Sequence, residues 1–323
     1  MALIEFETLV NISIIITLCI GFTFTYMMEG FPNFAHASYA SIGAIVSFYF
    51  TRVMGLNPYA TWPLSIITGG AIGVLLYVFI VRPIKRVARN REITLTLAFL
   101  AMSYVIFSIN NVFSYWSHYF VGVQTRQYNL STFDFSWNGY RGIIIVSSVT
   151  CLLLLTWITF FLNRNKLGIS MRATSENEDL AAILGINIDR THMASWFLSG
   201  GLSTLAGSIM ALNGGFYTSS SDVLIVTIMS AAILGGLSSI YGAVIGGLLV
   251  TVAQDFLKKL FFIIFGLVAL KWQSLTPILF LIGVMVLFPN GLTSIENVNT
   301  QTVKKRLMKF INRRLFKISE QLS

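Results

Sequence analysis

The chain has 323 residues, 55% of them hydrophobic and only 11% charged, against roughly a quarter charged in soluble domains. That composition excludes a water-soluble globular enzyme. The net charge of +9 does not indicate nucleic acid, because the basic residues crowd a few short connectors and the C-terminal tail instead of forming a stripe.

Apolar runs of about 20 residues, enough to cross a bilayer, recur along the sequence. They predict an all-α integral membrane protein, a polytopic helical bundle of about 8–9 transmembrane segments. The first run, residues 8–28, follows Glu5 and Glu7, with no basic leader, and no small-residue cleavage site appears before Glu29. It therefore reads as a retained helix, not a secretory signal. Further spans are expected at residues 34–53, 62–81, 93–110, 142–162 and 192–212. Residues 223–288 form an apolar remainder interrupted by glycines and lysines, where a broken or re-entrant element is expected. Cys19 and Cys151 lie inside apolar spans without metal or redox spacing and read as packing residues.

Short basic loops mark the cytoplasmic side. Arg82, Lys85, Arg86, Arg89 and Arg91 crowd the connector after the third span. Placing it inside makes the N-terminus external, sends the 111–141 loop outside and returns the 163–191 loop to the cytoplasm. The chain then divides into a transmembrane domain, 1–303, and a basic cytoplasmic tail, 304–323. The tail is either an amphipathic helix on the anionic inner leaflet or a solvated topogenic segment.

Several chemistries leave no signature. No phosphate-binding loop, zinc-protease pair or nucleophile elbow occurs, so the chain is not expected to be an enzyme, nor to bind a cofactor or metal. Almost all of the thirteen carboxylates, Glu29, Glu92, Asp222 and Asp255 included, fall in loops, tails or span ends. That disfavours an ion-coupled carrier, which commonly needs ionisable groups within the membrane. His36 and His192 each open a span and read as interfacial or capping residues, with a relay or substrate contact as the alternative.

Small residues recur at four-residue spacing in Gly69/Gly73, Ser203/Gly207 and Gly242/Gly246, the pattern by which membrane helices approach closely. The third pair belongs to a denser run, SAAILGGLSSIYGAVIGG at 230–247. Gly235, Gly236, Ser238 and Gly242 in that run suit either close packing or a bent segment bordering a translocation pathway.

The most informative stretch is a polar island at 171–190, MRATSENEDLAAILGINIDR. Thr174 or Ser175 is expected to cap a helix of two to three turns, with Glu176, Glu178 and Asp179 at its positive end and Gly185 stopping it. Leu180, Ala181, Ile183 and Leu184 are too few to cross a membrane. They suit either a groove on a soluble partner or the membrane surface.

The island resembles the cytoplasmic loop of permease subunits of branched-chain amino-acid ABC importers. NFAHASYASIGA from Asn33, VRPIKR from Val81, ILGGLSSIYGAVIGG from Ile233 and LFPNGL from Leu287 agree with the same family in order and spacing. The resemblance covers nearly the whole chain and extends to urea, amide and pentose permeases of that superfamily. It implies that Glu178, Ala181, Ala182, Gly185 and Ile186 form the ATPase-coupling element; from the residues themselves, Asn33 and His36 are expected to join Gly235, Gly236, Ser238 and Gly242 on the translocation pathway. It also implies two cytoplasmic ABC ATPase subunits, which use the ATP, a homologous and non-identical second permease, and an extracytoplasmic substrate-binding protein. Departures from the family pattern at Ala37, Ser38, Phe288 and Asn290 bear on the substrate more than on the machine. The competing reading is a stand-alone channel or secondary carrier without ATPase partners.

Overall fold

The computed structural model describes residues 6–122, 127–137, 139–217, 220–266 and 275–287. The LFPNGL segment beyond Leu287 and the basic tail lie outside the described residues. The chain is a helical bundle built from α1 (Phe6–Glu29), α2 (His36–Arg52), α3 (Trp62–Leu76), α4 (Arg82–Val87), α5 (Arg91–Trp116), α6 (Gly142–Arg164), α7 (Lys166–Glu176), α8 (Glu178–Ile183), α9 (Ile188–Asn213), α10 (Ser220–Gly235), α11 (Ile240–Phe265) and α12 (Leu275–Leu287).

Among the described residues, five helical stretches are long and apolar enough to cross a membrane: Phe6–Glu29, Pro58–Val87, Arg91–Phe120, Gly142–Arg164 and Ile188–Asn213. They coincide with five of the expected spans. The sixth expected span, 34–53, is α2, whose 17 residues reach about 25 Å at 1.5 Å per residue. It is too short for the length criterion but buried within the bundle.

α1 and α9 form the centre: 83% of the apolar window is buried in each, against 17% in the Arg91–Phe120 stretch and 22% in α6. The outer helices therefore expose their apolar faces, as lipid or a second membrane subunit requires. Packing at the centre is by backbone contact. A Cβ on Gly207 of α9 would overlap the Ala40 carbonyl oxygen of α2, and one on Gly43 of α2 would overlap that of Thr204. Gly69 and Gly73 of α3 stand equally close to the α9 backbone at Gly200 and Trp196. Between these contacts, the Thr204 hydroxyl donates to Ser65 O at 2.7 Å, Ser203 to His36 O at 2.7 Å and Ser208 to Ser65 Oγ at 2.8 Å. The small-residue spacings thus mark helix crossings, with hydroxyls satisfying one another where water is absent.

The Gly-rich run at 230–247 resolves into a turn between two helices. α10 ends at Gly235, Gly236 adopts φ +99°, and Ser239 caps α11 by accepting from Gly242 N at 3.1 Å. Gly235 meets the Gly242 backbone and Gly246 that of Ala231, so the pair forms a close antiparallel hairpin. Gly247 then presses on Ile16 of α1, with 3.2 Å from a notional Cβ to the nearest side-chain atom.

The long 111–141 connector is partly helical and partly a clamp. Helix α5 runs past the expected boundary at residue 110, and two short antiparallel ribbons follow. β1 (Gln127–Tyr128) pairs with β4 (Phe216–Tyr217), and β2 (Ser136–Trp137) with β3 (Tyr140–Arg141). Arg141 donates to the Leu212 and Asn213 carbonyls at 2.6 Å each, satisfying the last turn of α9 and complementing its dipole. Asp134 accepts from Tyr59 and from Ile143 N, tying α3's entry to the start of α6. This end of the bundle is closed by polar side chains that hydropathy does not register.

Candidate functional site

The opposite end gathers every short connector that carries basic charge. The island forms two helices, not one. Thr174 and Ser175 lie inside α7, where their hydroxyls donate back to Ser170 O and Arg172 O at 2.8 Å. Neither caps α8. Asn177, extended at φ −158°, ends α7 and starts α8, its side chain accepting from Leu180 N at 2.9 Å. Replacing Asn177 by Ala is expected to destabilise α8 by about 1 kcal/mol. Faster amide hydrogen exchange across residues 178–183, with the transmembrane helices unaffected, is the readout.

The C-terminal stop falls where the sequence placed it. Gly185 has φ +81°, and bonds from Ile186 N to Ala181 O and from Gly185 N to Ala182 O, each 3.0 Å, complete the cap. Nothing lies within 4 Å of a notional Gly185 Cβ, so its requirement is backbone conformation and not space. Along α8, Ala181 is buried at 1% exposure, whereas Leu180, Ile183 and Leu184 are 54%, 81% and 71% exposed. Spaced i, i+3, i+4, these three make an apolar stripe turned away from the bundle.

Beneath α8 lies a buried charge cluster. Glu29, the last residue of α1, has a fully buried side chain. Its carboxylate accepts from His192 Nδ1 at 2.7 Å and Trp196 Nε1 at 2.9 Å, and pairs with Lys85 Nζ at 2.7 Å. His192 Nε2 is 3.4 Å from both Lys85 Nζ and Glu178 Oε1, so one imidazole joins the α1 terminus to the first residue of α8. The Tyr77 ring stacks on that imidazole at 5.6 Å and 6°, while its hydroxyl donates to Asp189 at 3.1 Å; Arg82 pairs with the same carboxylate at 2.8 Å. Tyr77 opens a wider π-helical turn, Tyr77–Val81, between α3 and α4. Pro83, lacking an N–H to donate to Phe79, accounts for the local loss of α-helical bonding.

Two expectations change here. Glu29 does end its span, but buried in this cluster, and His192 belongs to the same cluster instead of acting as an interfacial cap. Sequence reading missed the association because its members lie on α1, the Tyr77–Val81 turn, α4, α8 and α9. The available signal was topological: placing residues 29–33, 82–91 and 163–191 on one side brings Glu29, Lys85, Glu178 and His192 to the same end.

The expected pathway residues separate. Asn33 Oδ1 accepts from Ala35 N at 3.1 Å and starts α2. His36 is fully buried, its ring nitrogens facing Leu18 O at 3.0 Å and Ser199 Oγ at 3.2 Å. Gly235 and Gly242 lie in the α10–α11 contact, and Gly236 forms the turn. Ser238 lines a cavity of about 560 Å³ at the α8 end, together with Met27, Arg172, Glu176 and Tyr241. Within the coupling set, Ala181 is buried, Ile186 is half-buried, and Glu178, Ala182 and Gly185 are exposed, Glu178 reaching His192 at its edge. Among the described residues no group of His, Cys, Asp or Glu is arranged to hold a metal.

Comparison with known proteins decides the family. Residues 4–301 match the model of the branched-chain amino acid transport system permease component. The chain belongs to that family. The permease is 31% identical over 284 residues to a probable branched-chain amino acid transport permease protein LivH of Methanocaldococcus jannaschii, covering 88% of this chain and 90% of the relative. It is 28% identical to the high-affinity branched-chain amino acid transport system permease protein BraD of Pseudomonas aeruginosa, covering 74% and 80%. A xylose transport system permease protein, XylH of Haemophilus influenzae, matches over 35% of this chain and 32% of its own length at 31% identity. Among solved structures, PsaBC from Streptococcus pneumoniae in complex with Fab aligns with TM-score 0.51 over 91% of this chain and 96% of that one. At 13% identity this likeness shows the fold alone.

Proposed function

We propose that the permease imports branched-chain or related amino acids as one half of an ABC transporter. It works with two cytoplasmic ATPase subunits that bind and hydrolyse the ATP, a homologous and non-identical second permease, and an extracytoplasmic substrate-binding protein. The names of the LivH and BraD relatives support the substrate class, and the partial likeness to XylH keeps a sugar as the runner-up. The N-terminus lies outside and the basic tail inside. That orientation requires an odd number of crossings, which we take to be nine, the five long stretches together with α2, α10, α11 and α12.

The observation that carries this reading is the construction of α8. A six-residue helix presenting Leu180, Ile183 and Leu184 outward gains nothing from water; an ATPase groove would bury them. Force applied there has a route inward, because Glu178 meets His192 and His192 meets the terminus of α1. Motion of the ATPases shifts the permease between outward-open and inward-open states only through such differential contact. Ser238 faces the pathway at the inner cavity, while Asn33, His36, Gly235, Gly236 and Gly242 shape its walls by holding neighbouring helices.

Ala182 is exposed beside the stripe, so Ala182→Arg leaves the bundle intact and places a charge in the docking groove. Uptake by the reconstituted importer is expected to fall by about tenfold or more, as removal of roughly 1.4 kcal/mol or more of docking energy requires. Membrane insertion and yield stay normal. Unchanged uptake would remove α8 as the coupling element, and uptake by the permease alone in liposomes would replace the ABC reading with a carrier.

A further inference from the structure

Asp255 and Lys258 are out of place in an apolar helix. From the sequence Asp255 reads as a span-end residue, but α11 runs unbroken from Ile240 to Phe265 and Asp255 is the sixteenth of its 26 residues. Fifteen rises of 1.5 Å put it about 22 Å from the α8 end of that helix. An ionisable pair at such depth is costly in a membrane helix and is kept there for a function.

Both residues line an open-sided cavity of about 460 Å³ between α1, α9, α10, α11 and α12. Its volume is within the range of about 300–1,000 Å³ usual for small-ligand sites. Asp255 and Lys258 are 3.4 Å apart, with side chains 17% and 36% exposed. That is a long contact for a charge-assisted bond, for which about 2.7–2.9 Å is normal. Beside them Gln254, 6% exposed, has a buried side-chain amide nitrogen with no hydrogen-bond partner among the described residues. An unpaired buried donor costs about 1–3 kcal/mol. The opposite wall is apolar, with Ile14, Ile15 and Leu224. Gly247, which closely approaches Ile16, lies on α11 between Tyr241 of the inner cavity and Thr251 of this one.

We infer that this cavity is a transit site for an α-amino acid, reading both charges of the zwitterion. The substrate ammonium pairs with the Asp255 carboxylate, and the substrate carboxylate accepts from the Lys258 ammonium and from the Gln254 amide. The aliphatic side chain lies against Ile14, Ile15 and Leu224. A sugar, with neither charge, leaves Asp255 and Lys258 paired only with each other. The inference rests on the amino-acid reading above and deepens it by naming the residues that recognise the backbone of the substrate.

The test uses the complete importer in nanodiscs, without binding protein, and L-leucine as probe. Wild type is expected to bind L-leucine saturably and to reject both 4-methylpentanoate, which lacks the ammonium, and leucinamide, which lacks the carboxylate. Asp255→Asn and Lys258→Gln are each expected to weaken L-leucine binding by about tenfold or more, the equivalent of one charge-assisted hydrogen bond. They are also expected to lose discrimination differently: Asp255→Asn against 4-methylpentanoate, and Lys258→Gln against leucinamide. A structural role alone would not divide the analogues in this way. Leu224→Cys keeps all three polar groups and reports independently of folding in the charge variants: L-leucine should slow its labelling by a small maleimide, the native Cys19 and Cys151 being buried. Unchanged L-leucine affinity in both charge variants, or unprotected labelling at position 224, overturns the site. Failure of the wild-type importer, supplied with its binding protein and ATP, to take up any amino acid overturns the broader reading instead.

Discussion

Replacing Glu29 by Ala is expected to destabilise the permease by about 3–5 kcal/mol, the usual cost of removing one partner from a buried ion pair. The loss exceeds that of a single contact because one carboxylate holds three groups. Without it Lys85, 19% exposed at its side chain, keeps a largely desolvated charge; the His192 Nδ1 and Trp196 Nε1 donors, both on α9, lose their acceptor. Glu29→Gln is the informative companion. Its amide oxygen still accepts from Trp196 or His192 but supplies no charge for Lys85, so stability should fall by less. Transport per ATP hydrolysed should fall in both variants if the cluster passes force from α8 to α1. Thermal unfolding of the purified complex measures the first effect, and the ratio of uptake to ATP hydrolysis in proteoliposomes the second. Wild-type melting together with wild-type coupling in Glu29→Ala would show that the cluster does neither.

Gly207→Val should prevent native packing altogether. The added atoms overlap the backbone of Ala40, not the end of a flexible side chain, and α2 cannot retreat, because Gly43 fits equally closely against Thr204 on the same helix pair. Ordinary overpacking costs about 1–3 kcal/mol, and backbone overlap at a two-point crossing lies at or above the top of that range. Little folded permease should be recovered by size-exclusion chromatography. Gly214→Ala, at a glycine whose Cβ would meet nothing within 4 Å, is the control and should behave as wild type. Recovery of Gly207→Val at wild-type yield with unchanged melting would show that α2 and α9 can separate.

Span positions and crossing points were legible because they depend on local quantities. Hydropathy over about 20 residues located α1, α3, α5, α6 and α9, and four-residue spacing of small residues located the close contacts of α3, α9 and α11. The cap of α8 was misassigned to Thr174 or Ser175 because a capping residue and an intrahelical hydroxyl look alike in sequence; only the extended backbone at Asn177 separates them. Glu29 and Asp255 were placed at span ends by their distance from the middle of an apolar run. Their surroundings depend on residues far away in the chain, His192 at 163 and Trp196 at 167 positions from Glu29. Charge in a membrane protein is visible in sequence, but its compensation is not.

The position of Gly247 on Ile16 has a kinematic consequence. α2, α3 and α9 are fastened to one another through backbone contacts and shared hydroxyls, and α1 to α9 through Glu29, which leaves them few relative degrees of freedom. The α10–α11 hairpin is fastened just as firmly to itself. The hairpin also packs on α1 and α2 through the buried core around Leu18, Ala231 and Ala243, so Gly247 is the barest point of a broad interface. A rotation of the hairpin about that point is expected to change the cavities beside Asp255 and Ser238 together.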